Sequence, residues 1–243
     1  MKKILVTGAG GIGGVNFVRA LKVFSDKFFI VGTDFNKYYL QFADLDQRII
    51  SPKHSDSNFI NFLNEIAKKN TIDFIHPQPS SEALVISQNL SSIITKTFLP
   101  PPNVISTDKL QTQKILSNLG IFVAKTKVIE NYEMISNTFE ELGDGPHWIR
   151  AKTGAGGNLS LLCNTPDEVE YWMKLWIIRG KANFDDFMLQ QYLPGKNIAW
   201  DSFWYNGKLI SSFTRERLEY PFKHISPSGI TGTPTVSKII VDE

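Results

Sequence analysis

A basic segment that leads into a glycine-rich loop is where this sequence points most clearly to chemistry. Arg150 and Lys152 are two residues apart in a predicted apolar strand, so both side chains are predicted to share one face. Gly154, Gly156 and Gly157 follow, and glycines let backbone N–H groups approach phosphate oxygens because no Cβ intervenes. The segment therefore predicts a phosphate site. It differs from a Walker loop, which ends in Gly-Lys-Ser/Thr and leads into a helix.

These and other charges also have simpler interpretations. Arg150 and Lys152 fit strand charges whose side chains reach solvent. Arg215 and Arg217 are alternate residues that fit a surface ion-pair ladder with neighbouring glutamates, which would add little stability. Lys109 starts a predicted helix, where a positive charge opposes the helix dipole; this indicates a binding role but also fits a solvated charge.

A second glycine-rich turn lies near the N-terminus. Gly8, Gly10 and Gly13 form a G-x-G-x-x-G pattern between a predicted strand and a predicted helix, and Asp34 ends the next strand. This pattern is typical of a dinucleotide site, but it equally fits a tight turn that lets a helix pack closely on a strand. A short-chain NAD(P)-dependent epimerase or reductase also needs Tyr-x-x-x-Lys on a helix. Only Tyr192–Lys196 has that spacing, and the Pro-Gly pair inside it excludes a helix, so this alternative is disfavoured.

Composition excludes several classes of protein. The chain has 243 residues with 42% hydrophobic and 21% charged residues, which is typical of one large or two small globular domains. The net charge is only +2, which gives no indication of a nucleic-acid partner. The single cysteine, Cys163, excludes an internal disulfide and is predicted to be buried. No segment approaches ~18 apolar residues, so we expect no membrane span and a cytoplasmic location.

Strands and helices alternate along the first hundred residues, which predicts a parallel sheet with helices on both faces. The predicted strands are Ile4–Val6, Phe28–Gly32 and Asp73–His76, and the predicted helices are Val15–Val23, Phe59–Lys68 and Ser81–Leu90. Three consecutive prolines, Pro100–Pro102, end this pattern and predict a domain boundary nearby.

The second half of the chain mixes helices with strands joined by turns. The predicted helices are Lys109–Leu119, Tyr132–Leu142 and Pro166–Trp176, and the predicted strands include Val123–Ile129, Met188–Tyr192, Ala199–Tyr205 and Lys208–Arg215. Thr165 and Glu168 are predicted to form a capping box, and Asn206–Gly207 a hairpin turn. Trp172 and Trp176, at helical spacing, are predicted to be core residues.

Several of these motifs together resemble the ATP-grasp ligases, most closely the carbamoyl-phosphate synthase large-subunit branch. They are Asp108-Lys109 at a helix start, Arg150 before the glycine loop, and the segment Met188–Gly195. The resemblance covers essentially the whole chain and implies an α/β fold. It implies a Rossmann-like pre-ATP-grasp domain over residues 1–105, followed by an incomplete α+β ATP-grasp module. That module would comprise an N-terminal subdomain or lid at 106–187 and the start of a C-terminal subdomain at 188–243.

The resemblance implies a nucleotide clamp. Lys109 and Arg150 would contact phosphates, the loop at 154–157 would fold over the β- and γ-phosphates, and the segment 190–193 would read the adenine edge. The implied catalytic residues are Arg150, Arg215 and Arg217. The implied nucleotide-binding residues are Lys109, Arg150, Lys152, Gly154, Ala155, Gly156, Gly157, Gln190, Gln191, Tyr192, Leu193, Asn197, Asp201 and His224.

The resemblance further implies ATP and Mg²⁺ as cofactors. The family's metal ligands are an acid on one late strand and a Glu-x-Asn on the next. No Glu-x-Asn lies between Tyr205 and Glu243, so we expect no metal ligand within this chain and place the ligands beyond Glu243. The final residues, Ile239–Glu243, are predicted to begin the helix that precedes those strands. We therefore expect a fragment, or a protein completed by a second chain, that binds ATP weakly without turnover.

For an intact enzyme, the resemblance implies that ATP phosphorylates a carboxylate or bicarbonate and that an amine or ammonia then attacks. The acceptor pocket would draw on His76–Glu82, at the carboxyl end of a predicted strand. A homodimer and a second completing chain both stay open as partners. A non-catalytic nucleotide-binding or regulatory module also stays open as a function.

Overall fold

The chain is described from a computed structural model, which covers residues 1–24, 26–154, 157, 159–232 and 234–241. It divides into two compact units, Met1–Thr107 and Asp108–Glu243. The finer domain limits expected from the sequence, at 105/106 and 187/188, stay predictions. No helix in the described ranges is both long and apolar enough to cross a bilayer.

The first unit contains a five-stranded parallel sheet in the order β3-β2-β1-β4-β5. The strands are β1 (Lys2–Thr7), β2 (Phe28–Asp34), β3 (Gln47–Ile50), β4 (Phe74–Pro77) and β5 (Lys96–Thr97). The helices are α1 (Ile12–Lys22), α2 (Phe59–Asn70), α3 (Ser80–Gln88) and α4 (Pro102–Ile105). The parallel sheet predicted from strand–helix alternation is confirmed, although the sequence analysis missed β3 and β5, which are short edge strands.

Successive side chains of β1 pack into two different hydrophobic cores in this unit. Leu5 packs in one cluster with Leu63 of α2 and Ile86 of α3. Val6 packs in another cluster with Val18 of α1. Successive strand residues point to opposite faces, so helices cover both faces of the sheet. The carboxyl ends of the parallel strands β1, β2 and β4, at Thr7, Asp34 and Pro77, therefore lie together at one end of a sheet whose faces are buried.

The second unit contains two antiparallel sheets. The four-stranded sheet has the order β6-β9-β7-β8 and the three-stranded sheet the order β10-β11-β12. The strands are β6 (Thr126–Lys127), β7 (His147–Ala151), β8 (Leu161–Cys163), β9 (Phe187–Gln191), β10 (Ile198–Tyr205), β11 (Lys208–Glu219) and β12 (Val236–Ile240). The helices are α5 (Lys109–Asn118), α6 (Ile135–Glu141) and α7 (Pro166–Ile178).

The core of the second unit lies between the four-stranded sheet and the helices α6 and α7. Cys163 is fully buried there, as predicted. Trp172 and Trp176 both pack against this cluster, and the indole N–H of Trp172 donates to the carbonyl oxygen of Leu159 at 3.0 Å. The prediction that both tryptophans are core residues is confirmed.

Of three local predictions, one is confirmed by the structure, one holds in part and one is wrong. The hairpin turn is confirmed, because Asn206 and Gly207 join β10 to β11 and both have positive φ. Half of the predicted capping box is present: the Thr165 hydroxyl accepts the N–H of Glu168, but the Glu168 carboxylate accepts the N–H of Asn164. The long strand predicted at Val123–Ile129 is wrong, because only the two residues of β6 pair with β9.

Two further predictions of secondary structure are wrong, because hydrogen bonds to residues distant in sequence decide where these segments form strands. The basic strand ends at Ala151, since the N–H of Lys152 leaves the ladder and donates to the carbonyl oxygen of Asp186 at 2.8 Å. Ile239 and Ile240 lie in β12, paired with β11, and do not begin a helix. Their β-branched side chains favour such a strand. The rest of that predicted helix start, residues 242 and 243, lies outside the described residues.

Candidate functional site

A cationic cleft in the second unit brings most of the predicted charged residues together. Its volume is about 730 Å³, and its lining includes Lys109, Trp148, Arg150, Asn197, Arg215 and Arg217. No acidic side chain is among the described residues that line it. A cleft lined by one sign of charge concentrates ligands of the opposite sign, so this cleft favours an anion.

Arg150 lies on the central strand of the four-stranded sheet and points into the cleft. His147 and Ile149, on the other face of β7, are fully buried. The Arg150 Nη1–H donates to Oε1 of Gln190 at 3.5 Å, while its buried Nε has no partner within the described part of the chain. Burial lowers the pKa of Arg150, but a guanidinium stays charged at neutral pH. The site therefore holds a desolvated cation with a spare donor, which an oxyanion would satisfy.

Lys109 is the first residue of α5, and Asp108 caps this helix by accepting the N–H of Gln111 at 2.7 Å. The Lys109 ammonium donates to the carbonyl oxygen of Gly154 at 2.7 Å. Burial is the main cause that lowers the pKa of Lys109, and the charge of Arg150 lowers it further. The two cations therefore repel each other across the cleft, and an anion between them would relieve that repulsion.

The predicted phosphate loop is only partly described. Gly154 and Gly157 have φ of +80° and +73°, in the left-handed region that favours glycine. A Cβ on Gly157 would also lie 3.0 Å from Ile230, so glycine allows a close approach there. Ala155 and Gly156 lie outside the described residues, and their predicted phosphate contacts stay predictions.

Arg215 and Arg217 alternate along β11 and line the cleft from the three-stranded sheet. The Arg215 Nε–H donates to Oδ2 of Asp201 at 2.8 Å. The buried Nε of Arg217 lacks a hydrogen-bond partner among the residues that the structure describes. The alternative of a surface ladder is not seen there, since the neighbouring glutamates pair with Lys196 and Lys223. Arg215 is therefore oriented by Asp201, whereas Arg217 has a donor available.

The predicted adenine segment lies beside the cleft and does not contribute to its described lining. Gln190 is buried in β9, where its Nε2–H donates to the Thr126 hydroxyl at 2.9 Å. The N–H of Gln191 donates to the carbonyl oxygen of Lys125 at 2.8 Å. Tyr192 and Leu193 follow the strand and are exposed. Their predicted role in binding adenine stays a prediction.

Three other predicted residues are placed away from the lining. Lys152 does not line the cleft because β7 ends before it, which removes the alternation that was to place it beside Arg150, and its predicted phosphate contact stays a prediction. Asp201 holds Arg215, and its predicted ribose contact stays a prediction. His224 is exposed in a turn, and its predicted ligand contact also stays a prediction.

The sequence analysis missed Trp148 as a cleft residue. Trp148 is two residues before Arg150, so strand alternation places both side chains on one face. That signal was present in the sequence. Ile230 and Pro234 also line the cleft, but they lie in irregular segments far along the chain, and no motif indicates them.

The described residues contain no cluster of candidate metal ligands. No three His, Cys, Asp or Glu side chains within the described ranges are grouped in a way that could hold a metal ion. The cations of the cleft suit phosphate oxygens instead.

The glycines of the first turn pack closely against other residues of the same unit. A Cβ on Gly8 would lie 2.2 Å from Pro79, and one on Gly13 would lie 2.5 Å from Nε2 of Gln78. A Cβ on Gly10 would lie 2.4 Å from the backbone of Tyr39. Close packing therefore explains all three glycines of the pattern without a ligand.

Asp34, the predicted ribose-binding acid of a dinucleotide site, is already used. It is buried, and its Oδ2 accepts the N–H of Gly10 at 3.1 Å while its Oδ1 accepts the N–H of Asn36 at 2.8 Å. The buried carboxylate therefore stabilises the glycine turn by accepting these two backbone N–H groups. These contacts support a structural role for the first glycine pattern.

The segment His76–Glu82, predicted to hold an acceptor, carries two groups with shifted pKa values, one at the end of β4 and one in α3. Burial raises the pKa of Glu82 to about 7, and the charge of Asp34 raises it further. A hydrogen bond with the Thr7 hydroxyl lowers the pKa of Glu82 in part. His76 stacks on Phe17 at 3.7 Å between ring centroids, and burial lowers its pKa. The acceptor role of this loop stays a prediction.

No family model matches the chain, and no curated protein matches it. Solved structures do match. The biotin carboxylase domain dimer of Hydrogenobacter thermophilus 2-oxoglutarate carboxylase, in complex with MgADP, ADP and bicarbonate, has 17% identity and a TM-score of 0.63, over 90% of this chain and 51% of that one. N5-carboxyaminoimidazole synthetase from Staphylococcus aureus, complexed with ADP, has 16% identity and a TM-score of 0.65, over 90% and 55%.

Biotin carboxylase from Campylobacter jejuni, in complex with β,γ-ATP, gives 17% identity and a TM-score of 0.60, over 90% of this chain and 52% of that chain. At this identity the likeness establishes the fold. The chain spans about half the length of the structures that it matches.

Proposed function

We propose that this chain, which has the fold of the ATP-grasp ligases, forms the ATP-binding part of an ATP-dependent carboxylate–amine ligase. The observation that carries the proposal is the cleft lined by Lys109, Arg150, Arg215 and Arg217 without an acid among its described lining residues. Two of these guanidiniums have a buried Nε without a partner in the described part of the chain. Such donors fit the phosphates of a nucleotide.

Phosphoryl transfer asks a protein mainly for positioning and charge neutralisation. In the proposed ligase, ATP supplies the phosphoryl group that activates a carboxylate or bicarbonate before an amine attacks. Arg150 and Lys109 hold phosphate oxygens from the four-stranded sheet and α5. Arg215 and Arg217 face them from β11 and neutralise charge that develops on the transferred group. Trp148, on the same face as Arg150, offers a flat apolar surface for the base.

The finer assignments belong to the same proposal. The first unit would be the Rossmann-like domain that precedes an ATP-grasp module, and its loop at His76–Glu82 would take part in acceptor binding. The carbamoyl-phosphate synthase branch is the proposed relative, with an acylphosphate or carboxyphosphate as the intermediate. The described residues form no Mg²⁺ site, so we assign no step to Mg²⁺ here.

Two alternatives differ in what they require of the protein. A nicotinamide-dependent epimerase or reductase would bind its cofactor at the glycine turn, whose glycines are accounted for by the close approach of Pro79, Gln78 and Tyr39. It also needs a helical Tyr-x-x-x-Lys, but Tyr192–Lys196 forms no helix. A non-catalytic nucleotide-binding module fits the same cleft as the ligase, and only turnover separates the two.

A titration of the chain with ATP, ADP, adenosine and NAD, each with and without Mg²⁺, tests the proposal by thermal shift and calorimetry. A ligand that binds only the folded state raises the melting temperature by mass action. We expect shifts with ATP and ADP that exceed the shift with adenosine, and no shift with NAD. A shift with NAD alone would overturn the proposal. ATP-dependent product formation by this chain would refute the expectation that it lacks turnover.

A further inference from the structure

Helix α7 exposes an apolar stripe on the side away from its core contacts. Tyr171, Leu175 and Ile178 are 69%, 47% and 82% exposed, and their spacing of four and three residues places them on one face. Val169 and Met173, on the opposite face, are fully buried in the core. α7 also carries charged residues, among them Glu170 and Lys174, but Tyr171, Leu175 and Ile178 are exposed next to one another, and a contiguous exposed apolar patch marks a contact surface more often than single apolar residues do. The exposed stripe therefore indicates a surface that something covers.

The charges at the two ends of α7 indicate what covers it. Asp167 lies in the first turn and Arg179 caps the last turn, and both are exposed. These two charges lie at equal distances in sequence on either side of Met173, as do Tyr171 and Leu175. Two copies of α7 that cross antiparallel at Met173 would place Asp167 opposite Arg179 of the second copy. Tyr171 would then lie opposite Leu175 of the second copy.

We propose that the apolar stripe of α7 binds a second copy of this chain, in a symmetric antiparallel helix pair. The arrangement is self-complementary, as a two-fold interface requires, and it opposes the two helix dipoles favourably. Tyr171 supplies an amphipathic aromatic anchor of the kind enriched at interfaces. One helix from each copy buries less than a standard interface of ~1,600 Å², so we expect a weak dimer with a dissociation constant in the micromolar range.

Sedimentation velocity over a wide concentration range tests this interface. The wild-type chain should change from monomer to dimer at micromolar concentration. Asp167→Arg and Arg179→Asp each place like charges opposite each other, and each should weaken dimerisation about tenfold or more. An equimolar mixture of the two variants forms heterodimers in which both charge pairs are again opposite in sign. That mixture should regain the wild-type affinity, which only an intermolecular pairing of these residues explains.

The controls separate docking from folding. Glu65→Arg, an exposed charge reversal on α2 of the other unit, should leave the dimer unchanged. Leu175→Gln removes apolar contact and keeps both charges, and it should also weaken the dimer. Thermal melts must show that every variant is folded. A chain that stays monomeric at ~200 µM, a dimer insensitive to the α7 variants, or a mixture that does not regain affinity would each overturn the proposal.

Discussion

The ammonium of Lys109 lies 2.7 Å from the carbonyl oxygen of Gly154, and the backbone N–H of Lys109 donates to the carbonyl oxygen of Lys152 at 3.0 Å. These contacts join the start of α5 to the segment that follows β7. Lys109 is thereby held near Arg150, whose charge helps to lower the Lys109 pKa. Two like charges are fixed near each other before any ligand binds, which is the arrangement expected of an anion site.

Removing the guanidinium of Arg150 should weaken binding of phosphates specifically. We expect Arg150→Ala to lower the affinity for ATP and ADP about 10- to 100-fold, since a hydrogen bond to a charged group contributes about 1.5–3 kcal/mol. Adenosine affinity should change less than about twofold. Calorimetry measures all three, and Arg19→Ala, which removes an exposed arginine of α1, is the matched control. Equal losses for ATP and adenosine would contradict a phosphate role.

The lowered pKa of Lys109 predicts a pH dependence of ATP binding. Lys109 loses its proton below the ordinary lysine pKa of about 10.5 in the free protein, while bound phosphate favours the charged form. ATP affinity should therefore fall as the pH rises toward the ordinary lysine pKa of about 10.5, and the fall should begin below that pH. In Lys109→Arg the side chain stays charged, so this decline should be smaller. Calorimetry across the pH range measures both, and identical profiles would exclude Lys109 as the titrating group.

The effect of the ion pair between Asp201 and Arg215 on ATP binding can be tested by removing the charge of Asp201. Asp201→Asn keeps an oxygen that can accept from Arg215 and increases the net positive charge of the cleft. We expect ATP affinity to rise about two- to fivefold at low salt, because a partly exposed pair contributes about 0.2–1 kcal/mol. Adenosine affinity should be unchanged. A selective loss of adenosine binding would instead support the ribose contact that the sequence predicts for Asp201.

The raised pKa of Glu82 predicts that the stability of the first unit depends on pH. Its folded pKa of about 7 is above its ordinary value of 4.5, so the folded state binds more protons between these values. Stability from this group is therefore complete below about pH 4.5 and is lost as the pH rises through about 7. Glu82→Gln should remove this loss and stabilise the unit at about pH 8 by on the order of 3 kcal/mol. Denaturant unfolding at about pH 5 and 8 measures it, with the exposed Glu65→Gln as control.

Two neighbouring glycines of the first turn should respond differently to alanine. A Cβ on Gly10 would lie 2.4 Å from the backbone of Tyr39, whereas one on Gly11 would lie 3.5 Å from the carbonyl oxygen of Gly8. We expect Gly10→Ala to cost about 2 kcal/mol or more of unfolding free energy and Gly11→Ala about 1 kcal/mol or less. Urea unfolding compares them. Equal effects would show that the close approach of Tyr39 is not what requires glycine at position 10.

Local patterns were enough to predict the parallel sheet, the buried Cys163 and the turn at Asn206–Gly207. Each depends on neighbouring residues: alternation of apolar segments, a small apolar side chain in a strand, and a dipeptide that accepts positive φ. Arg150 was predicted as a cleft residue from its strand and loop alone. Trp148 was missed although the same alternation places it beside Arg150.

The amino-acid sequence by itself indicated most of the helices and longer strands and which of them carry cations, because these depend on periodicity within one segment. Tertiary structure alone decided which cations meet, because Lys109, Arg150 and Arg215 come from three elements far apart in the chain. It left Lys152 outside the lining of the cleft, since a hydrogen bond to the distant Asp186 ends the strand one residue earlier. It also decided that Pro79, from a remote loop, fills the space beside Gly8. Periodicity sets the direction of a side chain along its own element, whereas contacts between distant segments decide what that side chain meets.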